Sequence, residues 1–245
     1  MRYLIGVDDT DNLESRGTGH HARQLANSLS SSGLAEVEGI TRHQLLVDPR
    51  IRYTSHNSSA CLTVVAQPDR LSVLIEAGCE FLTNNSAPGS DAGLCVAEWD
   101  QVVDAVRHFG QRAKHEVLTM AEARHLAERE QFTLEGVTGD HGGIIGALAA
   151  VGLRAAGNDG RFLWLPGLRE LNGIYRAEQL RHAAPIELIQ TIAGAEVLPT
   201  DRIEVGEWVR PLLRQGLSLL LVEEAQHDHC EWRVIDKDIV KQFSN

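Results

Sequence analysis

Short apolar runs alternate with amphipathic stretches along the first half of the chain. Tyr3–Val7 is a run rich in β-forming residues that stops at an acidic cluster, and this predicts a buried strand followed by a loop. The apolar positions of residues 20–29 then recur with helical spacing, directly after Gly17-Thr18-Gly19. The chain therefore begins with a strand, an acidic loop and a helix.

The same pattern continues to about residue 115. It predicts strands at 36–47, 59–66 and 94–98, and helices at 71–82 and 100–114. Alternating strands and helices of this kind are typical of α+β or α/β-like structure. We therefore expect an α+β protein whose first module, residues 1–115, is α/β-like.

The second half, residues 116–245, predicts a second module. Its patterns indicate a helix at 120–130, a glycine-rich stretch at 136–143, an apolar helix at 144–153, a strand at 162–165, a helix at 177–182, an amphipathic pair at 208–215 and 217–222, and a strand followed by a helix at 232–243.

Composition narrows the class of protein. Of 245 residues, 43% are hydrophobic and 23% charged, as in ordinary folded proteins. The 34 acidic and 23 basic residues give a net charge of −11, which disfavours broad binding to phosphate backbones.

The cysteines and the N-terminal residues favour a cytoplasmic protein. The four cysteines lie far apart without a CxxC pair, as expected of free thiols in a reducing compartment. Residues 227–230 contain two histidines, an aspartate and a cysteine, which we interpret as a surface turn rather than a zinc site. Asp8 and Asp9 interrupt the chain before a signal-peptide core could form, and no apolar run is long enough to cross a bilayer.

The acidic loop carries the strongest chemical signal. Asp8, Asp9 and Asp11 place three carboxylates within four residues, and such groups repel one another unless a cation neutralises them. Mg²⁺ prefers hard oxygen ligands and keeps several waters and substrate phosphates, which suits a short acidic loop. The alternative is a solvated acidic turn that caps a helix. The sequence favours the metal.

Other segments have features suited to phosphate or substrate. Gly17, Thr18 and Gly19 begin a predicted helix, where free amides and the helix dipole attract anions. Arg42 and the arginines of 50–52 add cations suited to bidentate phosphate contact. The polar run 53–59 precedes an apolar strand, and we expect it to contact substrate.

The glycine-rich stretch 136–146 runs directly into an apolar helix. Its spacing fits neither the GxGxxG fingerprint nor a P-loop. Anion binding by its backbone and close packing of the helix remain equally open.

Several motifs together resemble one known family, the archaeal tRNA(Ile) 2-agmatinylcytidine synthetases. The residues that carry the resemblance are Gly6-Val7-Asp8-Asp9-Thr10-Asp11, Gly17-Thr18, Thr41-Arg42, Asn57–Ala60, Pro88-Gly89 and the run Gly142–Gly152. That family uses ATP to phosphorylate the C2 oxygen of a wobble cytidine and then replaces that oxygen with agmatine. The resemblance implies a kinase-like first module, a ferredoxin-like second module, and Mg²⁺ bound by Asp8, Asp9 and Asp11.

The chain also departs from that family. The family's OB-fold and cysteine zinc ribbon, which bind tRNA, have no counterpart in this sequence, and the acidic net charge agrees with that. We therefore expect a Mg²⁺- and ATP-dependent phosphotransferase or ligase acting on a small molecule. Tight tRNA binding and membrane association are not expected, and a homodimer is left open.

Two other classes remain as alternatives. Asp9-Thr10-Asp11 after an apolar strand resembles the DxD of haloacid-dehalogenase-like phosphatases, although Leu13 stands where that motif has Thr or Val. A nucleotide- or metal-binding protein without catalysis is the other.

The acidic and glycine-rich loops are expected to face one cleft between the two modules. The residues assigned to the site are Asp8, Asp9, Asp11, Asp140 and His141 for catalysis, the first three also for metal; Thr10, Gly17, Thr18, Gly19, Arg42, Gly139, Gly142 and Gly143 for ATP; and His56, Asn57, Ser58 and Ser59 for substrate.

Overall fold

The chain forms two compact units. The structure is a computed structural model that describes residues 1–54, 56–226 and 229–244. The units comprise residues 1–156 and 157–245. The predicted boundary after residue 115 is therefore wrong, because the helix that ends at Ala156 packs against strands formed by the first 98 residues.

The elements of the first unit match most of the predicted ones. They are β1 (Arg2–Asp8), α1 (Thr18–Ser31), β2 (Glu36–Gln44), β3 (Ser58–Val65), α2 (Leu71–Asn85), β4 (Gly93–Glu98), α3 (Asp104–Arg112), α4 (Met120–Arg129), β5 (Thr133–Gly136) and α5 (Ile144–Ala156).

The strands of this unit lie in the order β5-β4-β1-β3-β2, and each adjacent pair is antiparallel. The order of elements from β1 to β4 is βαββαβ, with β3 inserted between β1 and β2. This is the split βαβ, or ferredoxin-like, arrangement. The α+β class is confirmed, but the ferredoxin-like topology belongs to residues 2–98 and not to the second module.

Helices cover both faces of this sheet. α1 and α2 contact each other and pack on β3, β2 and β4, while α5 packs on β1, β3 and β4 with α3 and α4 against it. The core under α5 is apolar, and Leu4, Cys61, Cys95 and Ala147 are all buried in it.

Glycines let α5 approach its neighbours closely. A Cβ at Gly6 of β1 would overlap the carbonyl of Ala147, and a Cβ at Gly152 of α5 would overlap the carbonyl of Val106. The backbones of β1, α5 and α3 thus touch where the sequence is glycine and alanine. Close packing explains much of the glycine-rich helix.

The second unit is a separate α+β body. Its elements are β6 (Arg161–Trp164), β7 (Gly173–Arg176), α6 (Ala177–Ala183), β8 (Leu188–Thr191), β9 (Arg202–Val205), β10 (Leu212–Arg214), β11 (Leu217–Glu224), β12 (Trp232–Val234) and α7 (Lys237–Ser244). β11 is central, since it pairs with β10 and β12 antiparallel and with β8 parallel.

Four short strands, β5, β7, β8 and β9, were not predicted. Each has four residues, and most of their positions are partly or fully exposed. Such segments carry no apolar run for a pattern to detect. The surface turn predicted at 227–230 includes residues 227 and 228, which lie outside the described part of the chain. Among the described residues, no helix is both long and apolar enough to cross a membrane.

Candidate active site

Three loops of the first unit converge at the end of β1. They are the acidic loop after Asp8, the loop before β4 and the glycine-rich loop before α5. Asp140 N donates to Asp91 Oδ1 at 2.8 Å, and Gly143 N donates to the Asp91 carbonyl at 2.8 Å. Thr138 Oγ1 donates to the Ser90 carbonyl at 2.8 Å. The loops are therefore joined through backbone groups, which fixes the positions of their carboxylates.

The position of the Asp8 side chain depends on the absence of a side chain at Gly146. Asp8 ends β1 and is only partly exposed, and a Cβ at Gly146 would overlap its carboxylate. Gly143 is also constrained, because its Cβ would lie 2.8 Å from the Asp8 carbonyl and 2.7 Å from Gly93 N. The first turn of α5 thus forms a cradle for the Asp8 side chain.

Burial and neighbouring carboxylates raise the pKa values of Asp8 and Asp9. The pKa of Asp8 rises to about 8, chiefly because burial disfavours its charge and secondly because Asp9 is close. The pKa of Asp9 rises to about 6 through burial and then through Asp91 and Asp11, although Arg52 opposes this shift. Asp9 also has a φ of 51°, which a non-glycine residue rarely adopts. A bound cation would relieve this repulsion.

Asp11 organises the acidic loop. Its Oδ1 accepts from Thr18 N at 3.0 Å and Thr18 Oγ1 at 2.8 Å, and its Oδ2 accepts from Thr54 Oγ1 at 2.7 Å. These bonds tie the acidic loop to the start of α1 and to the loop between β2 and β3. Both of its oxygens thus bind protein groups.

The segment between β2 and β3 forms the opposite wall. Its base is fixed, since Leu45 N donates to the Asn57 carbonyl at 2.8 Å and Leu46 N to the Ala113 carbonyl at 3.0 Å. From this wall Arg52 reaches Asp91 and Asp140, with Nη1 3.4 Å from Asp91 Oδ2 and 3.7 Å from Asp140 Oδ2.

These walls enclose a cavity of about 380 Å³ within the first unit. Its lining is partly charged or polar and partly apolar. The charged, polar and glycine residues include Asp8, Asp9, Asp11, Thr18, Arg50, Arg52, Thr54, His56, Asn57, Ser58, Asp91, Glu116, Asp140, Gly142, Gly143 and Gly146, and the others include Leu45, Ile51, Tyr53, Val117, Leu118, Met120 and Ile145. A cavity of this size accommodates a small ligand.

The donor set fits a metal ion whose coordination shell is completed by waters and phosphate, and not one that is held by protein ligands only. Within residues 1–54, 56–226 and 229–244, no three His, Cys, Asp or Glu side chains are grouped so that they could hold a metal ion by themselves. Mg²⁺ is commonly held by one or two carboxylates and completes its shell with waters and phosphate oxygens. Asp8 and Asp9, partly exposed on the cavity wall, fit that mode.

The structure brings most of the predicted site residues together. Asp8, Asp9, Asp11, Asp140, Thr18, Gly142, Gly143, His56, Asn57 and Ser58 all line the cavity. The acidic and glycine-rich loops do face one cavity, as expected. The lining comes from both predicted modules, 1–115 and 116–245, but all of these residues belong to one unit of the structure.

Three side chains assigned to the site are corrected. Ser59 is fully buried within β3, so it cannot meet a substrate. Arg42 lies on β2, where its guanidinium donates to Ser58 Oγ at 3.1 Å and to Gln44 Oε1 at 3.3 Å, and it does not line the cavity. His141 has a φ of 72°, and its ring packs against Gly136 outside the cavity lining.

Four small residues assigned to ATP also lie outside the lining. Thr10 is buried, and its Oγ1 bonds His21 Nδ1 at 2.8 Å. Gly17 is the N-cap of α1 and Gly19 lies inside that helix. Gly139 turns the glycine-rich loop with a φ of 57°, and a Cβ there would overlap Asp91. These residues shape the loops and do not face the cavity.

The sequence interpretation missed Asp91 as a site residue, whereas Arg52 and Thr54 fall within the segments 50–52 and 53–59 that were expected to contact phosphate or substrate. Asp91 is a single aspartate two residues before β4, without a local motif. The pairing of Gly93 with Asp8 places it near the acidic loop, and only the antiparallel sheet reveals this. The arginines of 50–52 did carry a signal, since cations are scarce in this chain.

Comparison with known proteins agrees with the fold of the first unit. A tRNA fluorescent labeling enzyme is 24% identical, with a TM-score of 0.55, covering 62% of this chain and 36% of that one. TiaS, a tRNA agmatidine synthetase, in complex with its isoleucine tRNA and ATP is 23% identical, with a TM-score of 0.55 and the same coverage. The chain thus has a TiaS-like fold over 62% of its length.

The curated relative gives no activity. It is the uncharacterized protein MJ0921 of Methanocaldococcus jannaschii, 26% identical over 152 residues, which are 62% of this chain and 50% of that protein. No family model matches the chain. The chain spans half the length of this relative and about a third of the solved TiaS structures.

Proposed function

We propose that the protein is a Mg²⁺- and ATP-dependent enzyme that transfers a phosphoryl group to an oxygen of a small molecule. The observation that carries this proposal is the convergence of carboxylates from three separate segments, Asp8 and Asp9, Asp91, and Asp140, on one cavity that also contains arginines. Phosphoryl transfer depends mainly on positioning and on charge neutralisation, and this arrangement supplies both.

In this proposal the residues divide into ligands and supports. Asp8 and Asp9 hold Mg²⁺, which when bound neutralises charge on the transferred phosphate. Asp11 is a positioning residue, because Thr18 and Thr54 occupy its oxygens. Gly142 and Gly143 lie before the N-terminus of α5 and leave room for phosphate to approach the helix dipole.

The proposed step is a substitution at phosphorus. The bond from the γ-phosphorus to the bridging oxygen of ATP breaks, a bond from the substrate oxygen forms, and ADP leaves. Asp140 lines the cavity with a side chain that is 64% exposed, and in this proposal it accepts the proton of the substrate hydroxyl or of a water linked to it.

The charge of the protein supports a small molecule as acceptor. A net charge of −11 and an acidic cavity wall oppose a polyanion such as tRNA. TiaS has been solved in complex with its isoleucine tRNA and ATP, and this chain covers 36% of that TiaS chain. We expect tRNA to bind no better than about 10⁻⁴–10⁻⁶ M at physiological salt, as in non-specific association.

A second candidate is that an amine then displaces the new phosphate from the substrate carbon. TiaS has been solved with AMPCPP and agmatine together, at 23% identity and a TM-score of 0.53. In this chain Glu116 lines the cavity, where its Oε2 accepts from Arg112 Nε at 2.8 Å, and a cationic amine would share this carboxylate with Arg112.

The phosphatase alternative has less support. A DxD motif needs both aspartates on the ligand, yet Asp11 is bonded to Thr18 and Thr54 and the intervening Thr10 is buried. The adjacent strands around β1 are also antiparallel.

The test is turnover of labelled ATP with Mg²⁺ and a panel of hydroxyl, amide and amine compounds, with tRNA as a separate arm. We expect a small molecule to stimulate ADP formation and to acquire the γ-phosphate, and Asp9→Asn to abolish both. Binding of ATP without turnover would support the non-catalytic alternative. Specific nanomolar binding of tRNA would contradict the small-molecule substrate.

A further inference from the structure

Arg52 lies against the acidic wall of the cavity, which is formed by Asp8, Asp9, Asp91 and Asp140. Its Nη1 lies 3.4 Å from Asp91 Oδ2 and 3.7 Å from Asp140 Oδ2, so one guanidinium group bridges two of the three converging loops. Asp91 is nearly buried, and its side chain is only 12% exposed. A carboxylate in that position needs a counter-charge, and Arg52 supplies it.

The ion pairs of Arg52 are long and exposed to solvent. The Arg52 side chain is 79% exposed, and both ion-pair distances exceed the range of a strong charge-assisted hydrogen bond. Pairs of this kind contribute little to stability and are easily exchanged for another partner. Arg52 is therefore positioned by its loop and is not locked by its partners.

Arg50 differs from Arg52 although it is only two residues away. Its Nε and Nη2 donate to both oxygens of Asp48 at 2.8 Å each, within the same loop. Its charge is already balanced locally, and it does not reach across the cavity. Arg50 thus provides a matched control for an arginine on the same wall.

We infer that Arg52 exchanges partners when the site is loaded: it neutralises Asp91 and Asp140 in the empty site and transfers to the phosphate of a metal-bound polyphosphate. The inference rests on the proposed function. A cation and Arg52 compete for the same acidic wall, so arrival of the metal weakens the hold of the carboxylates on the guanidinium. The phosphate that accompanies the metal then offers it a bidentate partner.

If Arg52 exchanges partners, replacing it should change the affinity for Mg²⁺ and the affinity for the Mg²⁺–nucleotide complex in opposite directions. Arg52→Met retains an apolar stem of similar length and removes the charge. Mg²⁺ alone should then bind the unshielded carboxylates more tightly, by about two- to fivefold, because a competing cation is gone. The Mg²⁺ complex of a non-hydrolysable ATP analogue should bind more weakly, by roughly 10- to 100-fold, because its arginine contact is lost.

The experiment measures both affinities on the full chain. Mg²⁺ is titrated alone and followed by the thermal unfolding midpoint, and the Mg²⁺–analogue complex is titrated by calorimetry. Arg50→Met should change both affinities less than Arg52→Met does, since its partner Asp48 lies on its own loop. Arg52→Lys keeps the charge and should recover part of the nucleotide affinity.

The outcomes separate this inference from the proposed function. Opposite shifts of the two affinities in Arg52→Met, without opposite shifts in Arg50→Met, support the exchange. If Mg²⁺ alone binds Arg52→Met no more tightly than the wild type, or if nucleotide affinity is unchanged, the exchange is refuted. If the wild type binds no nucleotide at all, the proposed function fails, while the Mg²⁺ titration still tests whether Arg52 shields the acidic wall.

Discussion

Asp8 and Gly146 depend on each other. The carboxylate of Asp8 lies in the space that a side chain at Gly146 would fill, and burial there raises the pKa of Asp8 to about 8. Asp9 beside it has a left-handed backbone with a φ of 51°. Backbone conformations of this kind persist where the surrounding structure enforces them, often at functional sites. The two residues together aim carboxylates at the cavity.

Replacing Gly146 with alanine tests this arrangement. The new Cβ would overlap the Asp8 carboxylate, so we expect a loss of about 1–3 kcal/mol in the free energy of unfolding and much weaker binding of Mg²⁺ nucleotide. Chemical denaturation and calorimetry measure these effects. Gly142→Ala is the control for stability, because its Cβ would lie 3.2 Å from Asp140 Oδ1 and 3.9 Å from Asp91 Cβ, without a severe overlap. Equal stability of the two variants would contradict the cradle.

At this scale the sequence predicted the acidic loop but not its surroundings. Asp8 and Asp9 stand out because three carboxylates follow a buried strand. Arg52 and Asp91 come from segments about 40 and 80 residues away, and only the folded structure brings them to the cavity. Ser59 and His141 were assigned wrongly because polarity in a sequence does not show which way a side chain points. Their burial and backbone angles decide that.

The helix α5 joins the site to the core. Its first turn holds Asp8, and further along it a Cβ at Gly152 would overlap the carbonyl of Val106 in α3. The sequence predicted this helix correctly, since its residues are almost uniformly apolar and small. It did not predict that the helix belongs to the first unit, because contacts between segments distant in sequence leave no local pattern.

Replacing one glycine in each of α5, α3 and α2 with alanine should change the stability of the first unit to different extents. Gly152→Ala should destabilise the first unit by about 3 kcal/mol, because two helix backbones must separate. Gly110→Ala should cost less, since its Cβ would lie 2.9 Å from the Ala149 carbonyl. Gly78→Ala should lie within about 1 kcal/mol of the wild type, because it meets only the flexible end of Leu94 at 3.0 Å. Urea unfolding of the three variants measures the order, and any other order contradicts the packing described.

The molecule as a whole is acidic and consists of two units. The split βαβ topology of the first unit was missed because a sequence shows the order of strands along the chain and not their order in the sheet. Antiparallel pairing of β1 with both β3 and β4 places the end of β1 beside the start of β4, and so the two acidic segments meet. The α+β class itself followed from the alternating pattern.

The raised carboxylate pKa values predict how stability depends on pH. Asp8 has a folded pKa of about 8 and Asp9 of about 6, both above the ordinary value of 3.8, so the folded state holds extra protons between about pH 4 and 8. Stability without metal should therefore fall as the pH rises through this window. We expect the thermal midpoint of the wild type to drop by about 2–5 °C between pH 6 and 8.

Two comparisons check this dependence by thermal unfolding. Asp8→Asn removes the titrating group, so its midpoint should change less over the same range. Added Mg²⁺ should stabilise the wild type more at pH 8 than at pH 6, because metal and protons compete for the same carboxylates. A midpoint that rises with pH, or an equal effect of Mg²⁺ at both values, would contradict the assignment.

Calorimetric titration of a non-hydrolysable ATP analogue at pH 8 tests the central claim most directly. The measurement compares the wild type with Asp8→Asn and Asp9→Asn, each with Mg²⁺ and with a chelator. We expect the analogue to bind only with Mg²⁺, and its affinity to fall at least about tenfold in both variants, since each loses a carboxylate that faces the metal. Affinity that is the same with the chelator, or unchanged in both variants, would show that this cavity is not a Mg²⁺-nucleotide site.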